Sequence, residues 1–277
     1  MSSVIEARRL SIDYDTEHGP VRAVDNVSFT VARSERLVLL GPSGCGKSTI
    51  LKSIAGFIRP SSGDILVEGR AVTKPGPDRL VVFQEFDQLL PWKTVRDNVA
   101  FPLKVARGKS GAEARALAEA ALAKVGLARV IKDYPHTLSG GMKQRAAIAR
   151  ALAASPEVLL MDEPFAALDA QTRERLQDET LRIWRQTGKT IVFITHSIDE
   201  AVYLGQRVLV MAAGPGRIVA DIAIDIDRGA DDLRATPEFV ALRHRIWQLF
   251  HPEATAAARV VRDGVRQSTA SEESRAS

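Results

Sequence analysis

The stretch Gly41-Pro42-Ser43-Gly44-Cys45-Gly46-Lys47-Ser48-Thr49 fits the pattern G-x-x-x-x-G-K-[ST], and it constrains the chain more than any other. Before it, Arg36-Leu37-Val38-Leu39-Leu40 reads as a buried strand. After it, Ile50-Leu51-Lys52-Ser53-Ile54-Ala55 places apolar residues at helical spacing. Strand, glycine loop and helix are the context in which this pattern cradles phosphate. The glycines let successive backbone N–H groups turn inward as an anion nest. The helix starting near Lys47 adds its positive N-terminal end. Lys47 then supplies a point charge for the β- and γ-phosphates of a nucleotide, and the Ser48 hydroxyl a ligand for Mg²⁺. Cys45, inside the nest and near Lys47, is expected to favour the thiolate.

A chain of 277 residues suits one large domain, or one domain and a tail. No run approaches the ~20 apolar residues of a membrane span, and the start lacks the basic-then-apolar layout of a secretory signal. A cytosolic chain is expected, and the single cysteine agrees, since it leaves no internal disulfide to form. The net charge of +4 is spread among interspersed acids and bases, without a basic stripe for nucleic acid. No nucleic-acid partner is therefore expected, and any membrane contact would run through a protein.

Residues 4–14 and 24–31 read as strands, the second alternating as a half-buried antiparallel strand does. Residues 63–69 add a short strand between turn glycines, so a small antiparallel sheet is expected. Residues 80–83 read as a buried strand ending at Gln84. From Glu85 the texture changes. Leu89-Leu90-Pro91-Trp92 reads as a loop with exposed apolar side chains, and residues 94–99 as a capped short helix. Residues 112–125 read as an amphipathic helix stopped by Gly126, and residues 144–154 as a longer helix ended by Pro156. The region from about 85 to 155 is thus expected to be an inserted helical subdomain. Residues 158–161 and 190–195 read as buried strands around a helix over 170–187. Ser197-x-x-Glu200 reads as a capping box, and residues 207–211 and 217–220 as a hairpin. Strands alternating with helices predict an α/β fold with a mainly parallel sheet covered on both faces. The domain is expected over 4–227, with a C-terminal extension over 228–277. In that extension residues 237–250 could form an amphipathic helix, and the polar stretch 253–277 reads as disordered.

Asp162 ends an apolar strand, where an aspartate can hold magnesium through water or through the Ser48 hydroxyl. Glu163 follows and, on extended backbone, would point the other way. There it can accept a proton from the water that attacks a γ-phosphate. Ser139-Gly140-Gly141 opens a helix and so makes a second outward-facing anion site, although a plain serine cap would look the same.

Gly41 to Thr49, Gln84, Leu138-Ser139-Gly140-Gly141-Met142-Lys143-Gln144, Leu160-Met161-Asp162-Glu163-Pro164, Ala167-Leu168-Asp169 and His196, in this order, closely resemble the ATP-binding cassette (ABC) family over roughly residues 4–225. Phe83-Gln84, Leu89-Leu90-Pro91-Trp92, Asp97-Asn98-Val99 and residues 134–145 resemble its nitrate/sulfonate/taurine importer branch. The resemblance implies a phosphate-loop, RecA-like core that binds and hydrolyses Mg-ATP, with ATP and Mg²⁺ as cofactors. It implies that Tyr14 stacks on adenine and that Gly41 to Thr49 hold the phosphates. Ser48, Gln84 and Asp162 are implied around the metal, with Glu163, Gln84 and His196 around the attacking water and γ-phosphate. Ser139, Gly140, Gly141, Gln144 and Asp169 are implied to reach a nucleotide across a subunit boundary. Asp169 can equally be the N-cap of the next helix.

The same resemblance implies a head-to-tail homodimer with ATP sandwiched between Lys47 of one subunit and Ser139 of the other. It implies integral membrane permease subunits that contact the Leu89–Trp92 region at the cytoplasmic face of the inner membrane. A periplasmic or extracellular solute-binding protein would act beyond them. Local packing of the helical subdomain would explain Leu89 to Trp92 as well. A soluble ABC-type ATPase not coupled to transport is the alternative reading, although the insertion after Glu85 is short and lacks sustained heptads. A non-enzymatic nucleotide-binding regulator is disfavoured by the presence of Glu163.

Overall fold

The computed structural model describes residues 3–83, 88–166, 168–229 and 232–251. The chain divides into two compact units, Met1–Ile224 and Asp225–Ser277. The first begins with strands β1 (Ser3–Thr16) and β2 (Gly19–Ala32), followed by β3 (Arg36–Leu40), helix α1 (Lys47–Ala55), and strands β4 (Ser62–Val67), β5 (Arg70–Ala71) and β6 (Arg79–Val82). Helices α2 (Val95–Arg107), α3 (Gly111–Lys124) and α4 (Gly140–Ala153) come next. Then β7 (Val158–Asp162), α5 (Ala170–Thr187), β8 (Thr190–Thr195), α6 (Ile198–Leu204), β9 (Arg207–Ala212) and β10 (Arg217–Ala223) complete the unit.

Two sheets form. One is antiparallel, in the order β2-β1-β4-β5; the other has the order β10-β9-β3-β8-β7-β6. In the second sheet every pairing is parallel except β10 on β9. The strands β3, β7 and β8 are apolar almost throughout because both of their faces are covered. Helix α1 packs between the two sheets: Ile50, Leu51 and Ile54 join one core with Leu10, Ile12 and Val24 of the first sheet and Leu37, Leu39, Leu160, Val192 and Leu209 of the second. Each such side chain contributes ~1.5–3 kcal/mol by leaving water. The loop ahead of α1 is therefore anchored to the most buried part of the unit.

In its secondary structure the chain departs from the sequence expectations at several places. Residues 80–83 give not a fully buried strand but the edge strand β6, with Leu80 and Val81 half-buried. The short helix expected over 94–99 runs on through Pro102 to Arg107, with Thr94 as its cap. Helix α4 starts at Gly140, ahead of the expected Gln144, with Ser139 as cap. The capping box at Ser197 is half made: Ser197 Oγ accepts the Glu200 N–H, but the Glu200 carboxylate turns inward to other partners. In the second unit a 3-10 turn, Leu233–Ala235, precedes helix α7, Pro237–Phe250. The stretch expected to be disordered, 253–277, lies outside the described residues. No helix among the described residues is long and apolar enough to cross a membrane.

Candidate functional site: a phosphate loop at the strand ends

The carboxyl ends of β3, β8 and β7 lie side by side, and each carries site residues: the 41–46 loop, His196, and Asp162 with Glu163. Ligands of open α/β sheets bind at this edge. A cleft of about 410 Å³ opens there, lined by Tyr14, Ala23, Ser43, Gly44, Gly46, Lys47, Ser48, Thr49 and Glu163.

The loop geometry needs its glycines. Gly46 caps α1 at φ 87°, and a Cβ there would lie 2.8 Å from both the Ala23 carbonyl oxygen and Val24 Cγ2. A Cβ on Gly41 would lie 2.7 Å from Cys45 Sγ and from the Met211 carbonyl oxygen. The first N–H groups of α1 have no acceptor within the helix and face the cleft end of the loop. Lys47 is buried, and its Nζ donates to the carbonyl oxygens of Gly41 and Pro42, at 2.8 Å each. No carboxylate is among its described hydrogen-bond partners, so its charge is left for an anion.

Ser48 Oγ donates to Asp162 Oδ1 at 2.9 Å. Burial holds the Asp162 carboxyl above its usual range; the Ser48 hydrogen bond pulls it back and the neighbouring Glu163 charge raises it further. A hydroxyl and a carboxylate in contact fit Mg²⁺, which takes one or two carboxylates and completes its shell with phosphates and water. Among the described residues no group of three or more His, Cys, Asp or Glu could hold a metal alone. A cation here would therefore arrive with phosphate oxygens. A carboxyl raised on folding costs stability once ionised. That cost is absent below about pH 4, grows as pH rises through the folded pKa, and persists at neutral pH. Asp162→Asn is therefore expected to raise the Tm of the nucleotide-free protein at pH 7, by about 2–4 °C for each kcal/mol relieved. The gain should shrink toward pH 4. Thermal melts across that range check it, and a lower Tm at pH 7 would contradict the assignment.

Glu163 is not on extended backbone as expected. Its φ is +43°, the left-handed region, which costs a residue with a Cβ ~1–2 kcal/mol. Its N–H donates to the Ile194 carbonyl at 3.1 Å, one residue past the β7–β8 ladder, and its own carbonyl accepts the Ala166 N–H at 3.2 Å. The turn brings its carboxylate to the cleft, where Oε2 is 2.9 Å from Nδ1 of the exposed His196.

Cys45 contradicts the expectation of a thiolate. Its side chain lies wholly buried in the core beneath the loop. Burial pushes the thiol up, and the Lys47 ammonium offsets this only in part. Native protein is therefore expected to resist a maleimide, with labelling following unfolding in urea. Rapid labelling of the folded chain would contradict this placement.

Tyr14 reaches the cleft from β1, half-exposed, with its hydroxyl 3.2 Å from Thr49 Oγ1. Ala23, which also lines the cleft, escapes the sequence reading, because a methyl group leaves no signal there. Ser139, exposed, caps α4 by accepting the Met142 N–H, with Gly140 and Gly141 as the first helical residues. None of the three lines the cleft. Asp169 caps α5 by accepting the Thr172 N–H, which holds its carboxyl below the usual range. Gln144, expected to face a ligand, is instead fully buried, its Oε1 accepting from Gln88 at 3.4 Å. Gln84 and Ala167 lie outside the described residues.

The sequence model of the family described as ABC transporter matches residues 24–166. The chain is 48% identical over 255 residues to the taurine import ATP-binding protein TauB of Rhizobium johnstonii, covering 90% of this chain and 97% of that one. It is 45% identical over 234 residues to the nitrate import ATP-binding protein NrtD of Synechococcus elongatus, covering 83% and 85%. Its fold is similar to a solved dimer of the ATP-binding cassette MJ0796 in a post-hydrolysis state bound to ADP and Pi, with TM-score 0.71, 31% identity, and coverage of 80% of this chain and 99% of that one.

Proposed function

The chain belongs to the ABC transporter family, and from that premise we propose that it binds and hydrolyses Mg-ATP to energise an importer of small solutes of the nitrate, sulfonate or taurine kind. The observation that carries this reading is the Glu163–His196 pair at the same cleft as Lys47 and the Ser48–Asp162 pair. Lys47 and the N–H groups of the 41–46 loop hold the β- and γ-phosphates. Ser48 and Asp162 would hold Mg²⁺, which neutralises charge developing on the transferred phosphoryl group. Glu163 takes a proton from a water as that water's oxygen bonds the γ-phosphorus, and the bond to the β-phosphate oxygen breaks to leave ADP and phosphate. His196, hydrogen-bonded to Glu163, contacts the γ-phosphate. Gln84 would link metal, water and transporter. Tyr14 stacks on the adenine over Ala23.

The second half of the site is assigned to another copy of the chain. Ser139, Gly140 and Gly141 open α4, whose first N–H groups lack intrahelical acceptors, and do not line the cleft of their own chain, while Asp169 lies on a separate exposed turn. The dimer of the MJ0796 cassette supports a sandwich of this kind. The names of the taurine and nitrate relatives support the solute class and the importer assignment. Permease subunits, a solute-binding protein beyond them, and a place at the cytoplasmic face of the membrane follow from the same reading.

The surface assigned to the permease is the Leu89–Trp92 loop. Leu89 is buried, contrary to expectation, while Pro91 is exposed and Trp92 is 70% exposed. The buried Asn98 staples this loop: its Nδ2 donates to the carbonyls of Leu90, Lys93 and Thr94, and its Oδ1 accepts the Leu90 N–H at 2.7 Å. An indole so held in water is suited to a partner's apolar pocket. Trp92→Ala is expected to leave basal ATPase of the isolated chain intact and to lower stimulation by the reconstituted permease ~10-fold or more. Solute uptake and ATPase measured together in proteoliposomes test the transport reading, which wild type without ATP-dependent uptake would contradict; normal uptake by Trp92→Ala would contradict the docking role of the loop alone.

A further inference from the structure

We infer that Glu200 and Arg173 are positioning residues: they lock His196 against Glu163 and tie that pair to the turn ending at Asp169. The inference rests on the nucleotide-site reading above and goes beyond it. Glu200 lies on α6, buried, and its carboxylate serves no capping role. Its Oε2 accepts the Thr195 hydroxyl at 2.6 Å, and its Oε1 accepts Gln177 Nε2 at 3.1 Å. Thr195 Oγ1 in turn accepts the Ser197 N–H at 3.0 Å, while Ser197 Oγ accepts the Glu200 N–H at 3.3 Å. Both neighbours of His196 are thus tied to one residue, so the exposed imidazole stands on a loop pinned from each side.

The same carboxylate faces α5. Arg173 Nε lies 3.9 Å from Glu200 Oε1. The Arg173 guanidinium also donates to the carbonyls of Phe165, at 3.3 Å, and Leu168, at 2.9 Å. Those carbonyls belong to the turn that leaves Glu163 and ends at Asp169. One guanidinium therefore closes the turn behind Glu163, and the carboxylate facing it fixes the loop that carries His196. The 2.9 Å contact between Glu163 and His196 joins two loops held by this single pair. Replacing Glu200 by a smaller side chain removes the acceptor of the buried Thr195 hydroxyl, which a buried site tolerates poorly. Misplacement of a reacting group by ~1 Å can cost ~10²-fold in rate.

A double-mutant cycle on the full-length chain tests this. Glu200→Ala is expected to lower kcat for Mg-ATP ~10²-fold while leaving the affinity for ATP, measured by equilibrium titration, unchanged. His196→Ala combined with Glu200→Ala should be no slower than His196→Ala alone, because Glu200 acts through the imidazole. Thr195→Val keeps shape, Arg173→Lys keeps the charge but loses the two-pronged donor, and both enter the same cycle, so the result does not hang on Glu200→Ala folding. Losses that instead multiply across the cycle within about twofold overturn the inference, as does wild-type kcat in both Thr195→Val and Arg173→Lys. Lys47→Ala in the same assay separates the two readings. Turnover without Lys47 would overturn the nucleotide site and this inference together, whereas an inert Lys47→Ala beside a multiplicative cycle would overturn the positioning role alone.

Discussion

Glu163→Gln is expected to bind Mg-ATP as the wild type does and to hydrolyse it ~10²–10⁴-fold more slowly, the usual cost of losing a positioned base. Glutamine matches glutamate in size and keeps an oxygen toward His196, but it cannot take a proton from water. The left-handed turn at residue 163 is held by backbone hydrogen bonds to Ile194 and Ala166, which the substitution does not touch. Lys47, Ser48 and Asp162 also stay as they are, so the phosphates remain held. With the γ-phosphate uncleaved, each ATP is expected to stay clamped between Lys47 of one subunit and Ser139 of the other, as proposed above. Light scattering after size exclusion in Mg-ATP should therefore read twice the 30.1 kDa of one chain. Adding Ser139→Arg should return the mass to one chain while ATP stays on the phosphate loop. A variant that hydrolyses ATP at the wild-type rate would remove Glu163 from the chemistry.

Lys47→Ala is the second large effect. It removes a buried ammonium that is tied across the loop to Gly41 and Pro42. Both the phosphate-directed charge and the brace on the nest disappear. Hydrogen bonds to charged groups are each worth ~1.5–3 kcal/mol. The affinity for Mg-ATP should fall ~10²-fold or more for the two or so phosphate bonds lost. Turnover should be undetectable. Calorimetric titration and a phosphate-release assay on the same preparation read both effects, and undiminished hydrolysis would contradict the phosphate-loop assignment.

Much of this site is legible in the chain itself because sequence and geometry coincide there. The strand, the glycine loop and α1 are contiguous, so the motif places Lys47 and Ser48 by itself. Asp162 and His196 end apolar runs, and a parallel sheet brings such ends to one edge. The caps Ser139, Asp169 and Ser197 are local chemistry and are legible for that reason.

What is not legible depends on partners distant in the chain. The left-handed turn at Glu163 is set by its bond to Ile194 on β8, and no local preference announces it in a glutamate. Cys45 sits beside Lys47 in sequence, but its side chain drops into the core, so burial decides its protonation. Helix α2 passes through Pro102 because tertiary packing of Val99, Ala100 and Leu103 outweighs one missing N–H. Glu200 at the third position after Ser197 matches a cap in sequence, while its carboxylate finds Thr195 and Gln177 instead.

The central claim is that Lys47, the Ser48–Asp162 pair and the Glu163–His196 pair form one ATP-hydrolysing site. A single-turnover experiment with purified full-length protein in excess over radiolabelled Mg-ATP measures this most directly. Wild type should convert the bound nucleotide to equal amounts of ADP and phosphate, while Glu163→Gln, holding the same amount of ATP, should return it intact over that time. ATP recovered unchanged from the wild type, or cleaved equally by both proteins, would contradict the claim.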